Sequence, residues 1–218
     1  MTLPRSFYAR PTLDVARDLL GKVLVHRRGR AVTSGVIVEV EAYIGESDPA
    51  SHAAPGPTRR NQPMYGPPGF SYVYLNYGIH CLVNVVTEPI GSPAAVLVRA
   101  LEPADGVATM RRRRLERTKG RRVRGRSERP LHELCRGPGN LTMAMGITLE
   151  HDRIDLLGDR LFIEDRRLKT GEVAWGPRIG IAVGVGRPWR AWIEGHPSVS
   201  KNATTEDAEV TRRSRRTT

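Results

Sequence analysis

Residues 36–43 read VIVEVEAY, and this stretch decides the fold class. Apolar and polar residues alternate in it, which is the period of a β-strand with two different faces. The alternation predicts Val36, Val38, Val40 and Ala42 on one face and Glu39, Glu41 and Tyr43 on the other. Glu41 then lies near the end of a strand, where a sheet can hold a general base rigidly. Ordinary acids on a solvent-facing strand edge are the competing interpretation.

Segments with the same period occur throughout the chain, separated by Gly, Pro, Asn or Asp. They are KVLVHR (22–27), SYVYL (71–75), HCLVNVVT (80–87), AAVLVRALE (94–102), RLFIED (160–165), RIGIAVGV (178–185) and RAWIEG (190–195). Helical spacing occurs only in residues 11–21, in residues 105–118 and after residues 137–140. Because strands outnumber helices and follow one another directly, we predict an α+β fold, a single domain with a curved, mostly antiparallel sheet.

The chain carries a large excess of positive charge. It has 35 Lys plus Arg against 23 Asp plus Glu, and 31 of the basic residues are arginines. Arginine binds phosphate oxygens in pairs, and neutralising backbone phosphates releases counterions, so the excess points first to DNA or RNA. A solvated surface is the alternative.

The basic residues concentrate in two segments. Residues 111–129 hold eleven basic residues and two acids, and residues 212–218 add four arginines and no acid. Both contain too few apolar residues to offset the entropy of ordering, so we expect mobile arms that contact phosphates. The predicted division is a domain over 1–205, including the basic segment 111–129, and a disordered basic tail over 206–218.

Several classes of protein are disfavoured by the sequence. No run of about 18 apolar residues occurs, and charged residues interrupt the N-terminal segment where an export signal needs an apolar core, which favours a cytoplasmic protein with no membrane partner. The two cysteines lack a CxxC partner, and the histidines form no metal-binding pattern. We therefore expect reduced thiols and no metal site.

A Pro-rich segment and a tyrosine cluster follow the VIVEVEAY strand. Residues 49–69 predict a long ordered loop, which is usually functional in a compact domain. Four of the six tyrosines are Tyr65, Tyr72, Tyr74 and Tyr77. Tyr77 lies between Asn76 and Gly78, so we predict a turn tip, from which an aromatic ring can enter a base stack. The alternative is a core hairpin, which we favour for Tyr72.

Five segments together resemble the alkyladenine (3-methyladenine) DNA glycosylase family. They are VEVEAYIGESDPASH (38–52), NQPMYGPPGFSYVYLNYG (61–78), VLVRALEP (96–103), CRGPGNL (135–141) and, with a weaker likeness that is also found at residues 16–25, WIEGHPSVS (192–200). The resemblance covers nearly the whole chain. It implies a fold similar to the C-terminal domain of formyltransferases.

The resemblance also implies roles for individual residues. Glu41 matches the general base that activates water, and Arg99 the arginine that positions the water or a phosphate. Tyr77 matches the side chain inserted into the DNA stack, and the carbonyl of Ile193 a further water contact. Tyr43, His52 and Tyr74 match the residues that form the pocket for the extruded base, and Asn84 matches the side chain that discriminates against guanine.

The activity implied is that of a monofunctional DNA glycosylase that acts on double-stranded DNA containing damaged purines. It would be a monomer without cofactor or metal, associated with the nucleoid if bacterial. A non-catalytic nucleic-acid-binding module of similar fold is the main alternative, and a basic ribosome-associated protein is a third. Intact EAY, YVYLNYG and LVRALEP motifs favour the enzyme, since phosphate binding alone needs no carboxylate paired with a turn-tip tyrosine.

Overall fold

The protein is an α+β domain built on one eight-stranded antiparallel sheet, described by a computed structural model over residues 1–116 and 129–200. Its α-helices are α1 (Arg5–Tyr8), α2 (Thr12–Leu19), α3 (Val107–Glu116) and α4 (Pro138–Met145), and short 3₁₀-helices span Gln62–Tyr65, Leu131–Glu133 and Leu149–His151. Its strands are β1 (Val23–Arg28), β2 (Ala31–Ile44), β3 (Ser71–Asn76), β4 (His80–Val86), β5 (Ala94–Pro103), β6 (Leu161–Glu164), β7 (Val173–Gly176) and β8 (Arg190–Ile193). The predicted α+β class is confirmed, whereas the likeness to formyltransferases stays a prediction.

Strand β2 is the centre of the sheet. The strand order is β3-β4-β5-β2-β1-β6, and β5 pairs with residues 35–44 along one side of β2. On the other side β1 pairs with residues 31–36 and β8 with residues 39–41, so two strands share that edge. The second half of β2 is therefore enclosed on both sides by strands that are distant in sequence.

An irregularity in β2 changes which residues share a face. The register passes from Ile37 opposite Leu101 to Glu39 opposite Ala100, which leaves Val38 without a partner; Arg99 is skipped in the same way on β5. Such bulges turn side chains to new directions. Val36 accordingly packs with the small cluster around Phe162, while Val38 joins the main core. The prediction that Val36 shares a face with Val38 is wrong, because alternation assumes an unbroken ladder.

The main core forms between the sheet and helices α2 and α4. In α2, which lies within the predicted helical range 11–21, the buried residues include Val15, Ala16 and Leu19. In α4, which lies where helical spacing follows residues 137–140, the buried residues include Leu141, Ala144 and Met145. None of the helices in the described ranges has the length and apolar content needed to cross a bilayer.

One predicted strand is a loop. Residues 178–185 alternate apolar residues with glycine, yet no strand forms between β7 and β8. Gly180 and Gly184 have φ of +78° and +66°, which is left-handed backbone that a strand cannot contain. The strand prediction for this segment is wrong, and the sequence pattern gave no indication of β7. We call residues 177–189 the 177–189 loop.

The start of the basic segment is packed, contrary to its prediction as a mobile arm. Residues 111–116 belong to α3, which contacts α4. The Arg113 guanidinium donates to the carbonyls of Ala144 and Met145 at the end of α4, and Arg114 is buried. Arginine stems can pack while their donors satisfy terminal carbonyls, which a count of charges does not reveal. Residues 117–128 and the predicted tail lie outside the described residues.

Two buried histidines, His26 and His151, contact each other beneath the sheet. Their Nε2 atoms are 2.9 Å apart, and His26 Nδ1 lies 2.7 Å from the carbonyl of Met145. Burial lowers the pKa of both rings, that of His151 to about 4, and the neighbouring His26 adds to the effect there. The pair is therefore neutral near pH 7.

This pair should make stability depend on pH. Below about pH 6.5 the unfolded histidines bind protons that the folded pair resists, so the free energy of unfolding should fall as the pH drops from 6.5 towards 4. The slope should approach about 1.4 kcal/mol per pH unit for each proton bound. Urea denaturation from pH 4.5 to 7.5 measures it, and His151→Gln should reduce the slope. The matched control is His132→Gln; an identical slope in His151→Gln and wild type would contradict the prediction.

Candidate active site

Glu41 lies at the centre of the candidate site, in the enclosed half of β2. It is opposite Leu97 of β5 and opposite Arg190 of β8. Glu39 and Glu41 have no exposed surface at all. The interpretation of these residues as acids on a solvent-facing strand edge is therefore wrong, because β5 and β8 cover both sides of β2.

Three donors contact the carboxylate of Glu41. The backbone N–H of Ile179 donates to Oε1 at 2.7 Å, and Arg99 Nη1 lies 3.1 Å from the same oxygen. The hydroxyl of Tyr43 donates to Oε2 at 2.9 Å. Donors from a strand, a neighbouring strand and a distant loop thus fix the carboxylate, which a buried charge requires.

A second carboxylate holds Arg99 in place. Arg99 Nε donates to Glu39 Oε1 at 3.0 Å, and Arg190 Nη1 donates to the same oxygen at 3.1 Å. The backbone N–H of Ser200 donates to Oε2 of Glu39 at 2.9 Å. Two carboxylates and two guanidinium groups therefore compensate one another inside the sheet, with Arg99 between Glu39 and Glu41.

Arg99 and Tyr43, whose side chains donate to Glu41, are kept protonated by their electrostatic surroundings. Burial acts to lower the pKa of Arg99, but the charges of Glu41 and Glu39 outweigh it and the pKa is raised. Burial, followed by the charge of Glu41, raises the pKa of Tyr43 well above its usual range. Arg99 therefore stays a cation and Tyr43 stays a neutral hydroxyl at physiological pH.

Beside these groups is a cavity of about 340 Å³, the size of a small-molecule site. Six of the predicted site residues line it: Tyr43, His52, Tyr74, Tyr77, Asn84 and Arg99. Other lining residues include Met64, Tyr72, Pro138, Ile179 and Gly180. Glu41 is not among the lining residues, but it contacts Tyr43 and Arg99, which are. The structure thus brings together residues from β2 to β5, the Pro-rich loop and the 177–189 loop.

Aromatic rings form one wall of the cavity. The ring centroids of His52 and Tyr74 are 4.4 Å apart and those of Tyr72 and Tyr74 are 5.3 Å apart. His52 Nδ1 and the Tyr72 hydroxyl share a 2.8 Å hydrogen bond. Tyr72 is buried, as predicted, but its hydroxyl orients His52. The wall is therefore a connected set of rings in fixed positions.

The charge state of this wall follows from its surroundings. Burial, with a smaller effect of the nearby Arg60 charge, lowers the pKa of His52, so the imidazole is neutral at pH 7. Burial raises the pKa of Tyr74 to about 12, although Arg60 opposes the shift. The wall consequently presents neutral rings whose hydrogen-bonding capacity does not change between about pH 7 and pH 9.

The Pro-rich loop is built around a buried asparagine that the sequence gave no reason to choose. Asn61 Nδ2 donates to the carbonyls of His52 and Gly56 at 2.6 and 2.9 Å. Its Oδ1 accepts from the backbone N–H of Thr58 at 2.7 Å. These bonds hold together the part of the loop that precedes the 3₁₀-helix at Gln62–Tyr65, and they keep His52 against Tyr72, so the loop is ordered as predicted.

Tyr77 lies at the tip of the β3–β4 hairpin, as predicted. Asn76 pairs with His80, and Ile79 N donates to the carbonyl of Asn76 at 3.0 Å. Tyr77 and Gly78 have φ of +48° and +67°, positive at both central residues as a type I′ turn requires. Tyr77 is 85% exposed. A bulky residue with positive φ is uncommon, so the turn holds this ring outward at a backbone cost.

Asn84 and Ile193 have different positions relative to the cavity. Asn84 on β4 is buried, lines the cavity and donates from Nδ2 to the carbonyl of Tyr72 at 3.0 Å. Ile193 packs into the main core, and its carbonyl accepts from the N–H of His196 at 3.3 Å. Ile193 is not among the lining residues. The water contact that the resemblance implies for the Ile193 carbonyl stays a prediction. The backbone group that contacts Glu41 is the N–H of Ile179.

The described residues offer no ready metal site. Among residues 1–116 and 129–200, no three His, Cys, Asp or Glu side chains are grouped closely enough to ligate an ion. Cys81 and Cys135 are free thiols, as expected from their spacing. The groups at and next to the cavity are a carboxylate, a guanidinium, hydroxyls and aromatic rings.

Besides Asn61 and Ile179, sequence reasoning missed Glu39, Asp48 and Arg178 as contributors to the site. Because Glu39 alternates with Glu41, the sequence predicted that both lie on one face of the strand. It did not predict the contact between Glu39 and Arg99. Asp48 and Arg178 form a buried ion pair next to Tyr43. Nothing in the linear sequence links Asp48 to Arg178, and the misassigned strand at 178–185 concealed the loop that contains Arg178.

Comparisons with known proteins agree with the site. A family model described as Methylpurine-DNA glycosylase (MPG) matches residues 6–197. A relative from Burkholderia lata is 45% identical over 205 residues, or 93% of this chain and 92% of the relative. One from Anaeromyxobacter dehalogenans is 47% identical, over 92% and 86% of the two chains. One from Chlorobium phaeobacteroides is 46% identical, over 88% and 91%. All three carry the name "Putative 3-methyladenine DNA glycosylase".

A buried, donor-bound carboxylate beside an aromatic cavity, in a chain with these relatives, defines an enzyme of the DNA glycosylase class. The chain belongs to the methylpurine-DNA glycosylase family. The resemblance found in the five sequence segments is thereby confirmed, and the non-catalytic binding module is the weaker interpretation.

Proposed function

We propose that the protein is a monofunctional glycosylase of base excision repair that flips damaged purines out of duplex DNA and hydrolyses the N-glycosidic bond. The substrates proposed are 3-methyladenine and other alkylpurines, with hypoxanthine or ethenoadenine as further candidates. The observation that carries the proposal is the fully buried Glu41, bound by Arg99 and Tyr43 next to an aromatic cavity of about 340 Å³. Phosphate binding alone would require none of these features.

The cavity suits an extruded base. Flipping a nucleotide costs a few kcal/mol, least for a base that pairs badly, and stacking on aromatic rings offsets the cost. Tyr43, His52 and Tyr74 provide the rings. Asn84, which is buried and bonded to the Tyr72 carbonyl, is the side chain proposed to exclude the exocyclic amino group of guanine.

Glu41 is the proposed general base. It takes a proton from a water molecule whose oxygen forms a bond to C1′ as the bond from C1′ to the base nitrogen breaks. The electron pair of that bond leaves with the base, and the carboxylate stabilises the positive charge that develops on the sugar. An alkylated purine is already cationic and leaves as a neutral base. A neutral base would need a proton, and we assign no general acid.

The product is an uncut abasic site. Cleavage of the strand by a glycosylase requires an amine that forms a Schiff base with C1′. No lysine is among the residues that line the cavity. The enzyme is therefore proposed to work with hydrolysis alone, as a monomer, and without a cofactor.

Electrostatics supply the proposed binding to double-stranded DNA. The formal charge of +12 favours phosphate contacts that weaken as salt concentration rises. Tyr77, exposed at a hairpin tip on the edge of the cavity, is the proposed wedge that fills the space left by the flipped base. Positive charge is thus proposed to bind DNA of any sequence, while the cavity selects the damaged base.

The decisive test is release of bases from defined duplexes. Wild-type protein is incubated with duplexes that each contain one lesion, and free base and abasic sites are quantified with and without subsequent alkali. We expect release from alkylated purines, and strand breaks only after alkali. Binding without release from any duplex would support the non-catalytic module instead.

Tyr77→Ala should separate flipping from binding. Loss of one stacking ring is worth about 1–3 kcal/mol, so the single-turnover excision rate should fall about tenfold to a hundredfold. The affinity for undamaged duplex and its salt dependence should change by less than about threefold, since phosphate contacts dominate both. Tyr77→Phe keeps the ring and should excise at nearly the wild-type rate. Wild-type excision by Tyr77→Ala would exclude the wedge.

A further inference from the structure

A buried ion pair joins Asp48 and Arg178 outside the cavity. Arg178 Nη1 lies 2.5 Å from Asp48 Oδ2, and Nη2 lies 2.7 Å from Oδ1, so the contact is two-pronged. Both side chains are fully buried. Asp48 follows β2 by four residues, whereas Arg178 is at the start of the 177–189 loop. The pair therefore ties that loop to the end of the strand that contains Glu41.

Arg178 also contacts the strand itself. Its Nη1 donates to the carbonyl of Ala42, the residue between Glu41 and Tyr43, at 3.0 Å. Its guanidinium carbon lies 4.7 Å from the ring centroid of Tyr43 and 5.2 Å from that of Trp189. One planar cation thus contacts the backbone beside Glu41 and the face of the ring whose hydroxyl donates to Glu41.

The residue after Arg178 is Ile179, whose N–H donates to Glu41 Oε1. Gly180 and Ile181, the next two residues, line the cavity. This part of the loop has no strand pairing, since β8 begins only at Arg190. The side chain of Arg178 is consequently the anchor nearest to the N–H that contacts the carboxylate.

Stability alone is a weak explanation for this pair. Removing two charges from water costs several kcal/mol per ion, and apolar residues of similar size often do as well or better. The pair instead fixes the relative position of the two segments, because the planar guanidinium of arginine sets the distance and angle to the carboxylate, which a lysine would not. A catalytic carboxylate needs such fixed geometry, since misplacement by about 1 Å can cost about a hundredfold in rate.

We propose that Arg178, held by Asp48, is a positioning residue that fixes the Ile179 N–H and the Tyr43 hydroxyl on the general base Glu41. The proposal rests on the proposed function of Glu41. Arg178 touches neither the cavity nor the reacting atoms, so it acts only through Ile179 and Tyr43.

The test compares two lysine substitutions in the same loop. Arg178→Lys keeps the charge but loses the two-pronged contact. Arg187→Lys is the matched control, because Arg187 lies 3.9 Å from Asp48 Oδ1, is partly exposed and donates to the carbonyl of Ser47. Single-turnover excision from an alkylpurine duplex is measured over a range of enzyme concentrations, which separates the maximal rate from the concentration that gives half of it. Asp48→Asn is a second variant.

We expect Arg178→Lys to lower the maximal rate about a hundredfold, with a half-saturating concentration within about threefold of wild type. Asp48→Asn should act in the same direction, and Arg187→Lys should change the maximal rate less than about threefold. Thermal melting of each variant establishes that the assay is run well below its Tm.

Two results would overturn the proposal. One is an unchanged maximal rate in Arg178→Lys; the other is a loss that appears equally in half-saturation and in the rate, as general disruption would produce. Wild-type protein that releases no base would contradict the proposed function itself, and with it this role for Arg178. Active wild-type protein with an unaffected Arg178→Lys would contradict the positioning role only.

Discussion

Glu41→Gln is expected to lower the single-turnover rate of base excision about a thousandfold, within the range of about 10²–10⁴ that a general base contributes. Glutamine keeps the shape of the side chain and an oxygen that can accept from the Ile179 N–H. It cannot take a proton from water, and it has no charge to stabilise the sugar cation. Single-turnover kinetics on an alkylpurine duplex, with enzyme in excess, measure the chemical step without product release.

The matched control for this change is Glu46→Gln. Glu46 is five residues further along the chain, is exposed and accepts from the Tyr65 hydroxyl at 2.8 Å. Its substitution should leave the excision rate within about twofold of wild type, since surface changes are usually close to neutral. A Glu41→Gln enzyme that excises at nearly the wild-type rate would remove Glu41 from the mechanism.

Arg99→Met is expected to have the largest effect on stability, lowering the free energy of unfolding by about 3–5 kcal/mol. Arg99 is the cation between two buried carboxylates, 3.0 Å from Glu39 and 3.1 Å from Glu41. Without it, Glu39 keeps Arg190, but Glu41 keeps only neutral donors. Urea denaturation at pH 7 measures the loss, and excision should be abolished together with the geometry of Glu41.

A double substitution shows whether the loss comes from an uncompensated charge. Adding Glu41→Gln to Arg99→Met removes that charge, so the pair should be more stable than the sum of the two single effects by about 1–3 kcal/mol. Arg112→Met, on the exposed side of α3, is the control and should cost less than about 0.5 kcal/mol. Equal losses in Arg99→Met and Arg112→Met would contradict the interpretation of the buried network.

Most strands and helices could be predicted because their signals are local. The alternation in β2 to β5, the helical spacing in α2 and α4 and the Asn-Tyr-Gly turn each lie within a few residues. The segment at 178–185 failed because glycine with positive φ interrupts an apolar pattern that otherwise suits a strand. The basic segment failed at 111–116 because arginine can pack along its stem, which composition does not indicate.

The sequence predicted which residues belong to the candidate site but not how those residues contact one another. Glu41, Tyr77 and the tyrosine cluster stood out by position, whereas the roles given to Arg99, His52 and Asn84 came from the family resemblance. Those roles remain predictions, although the residues line one cavity. The side chain of Ile193 packs in the core, and the water contact that the resemblance implies for its carbonyl also stays a prediction.

The sequence by itself determined that a sheet would carry an acid beside an aromatic residue, with a tyrosine at a hairpin tip and a strongly basic surface. These features follow from side-chain period, turn chemistry and charge, which act over short distances along the chain. Only the tertiary structure decided that Glu41 would be buried and bound by Arg99 and Ile179. Those contacts join segments about 60 to 140 residues apart, and they depend on the register shift at Arg99 and on the ion pair between Asp48 and Arg178, which exist only once the strands have paired.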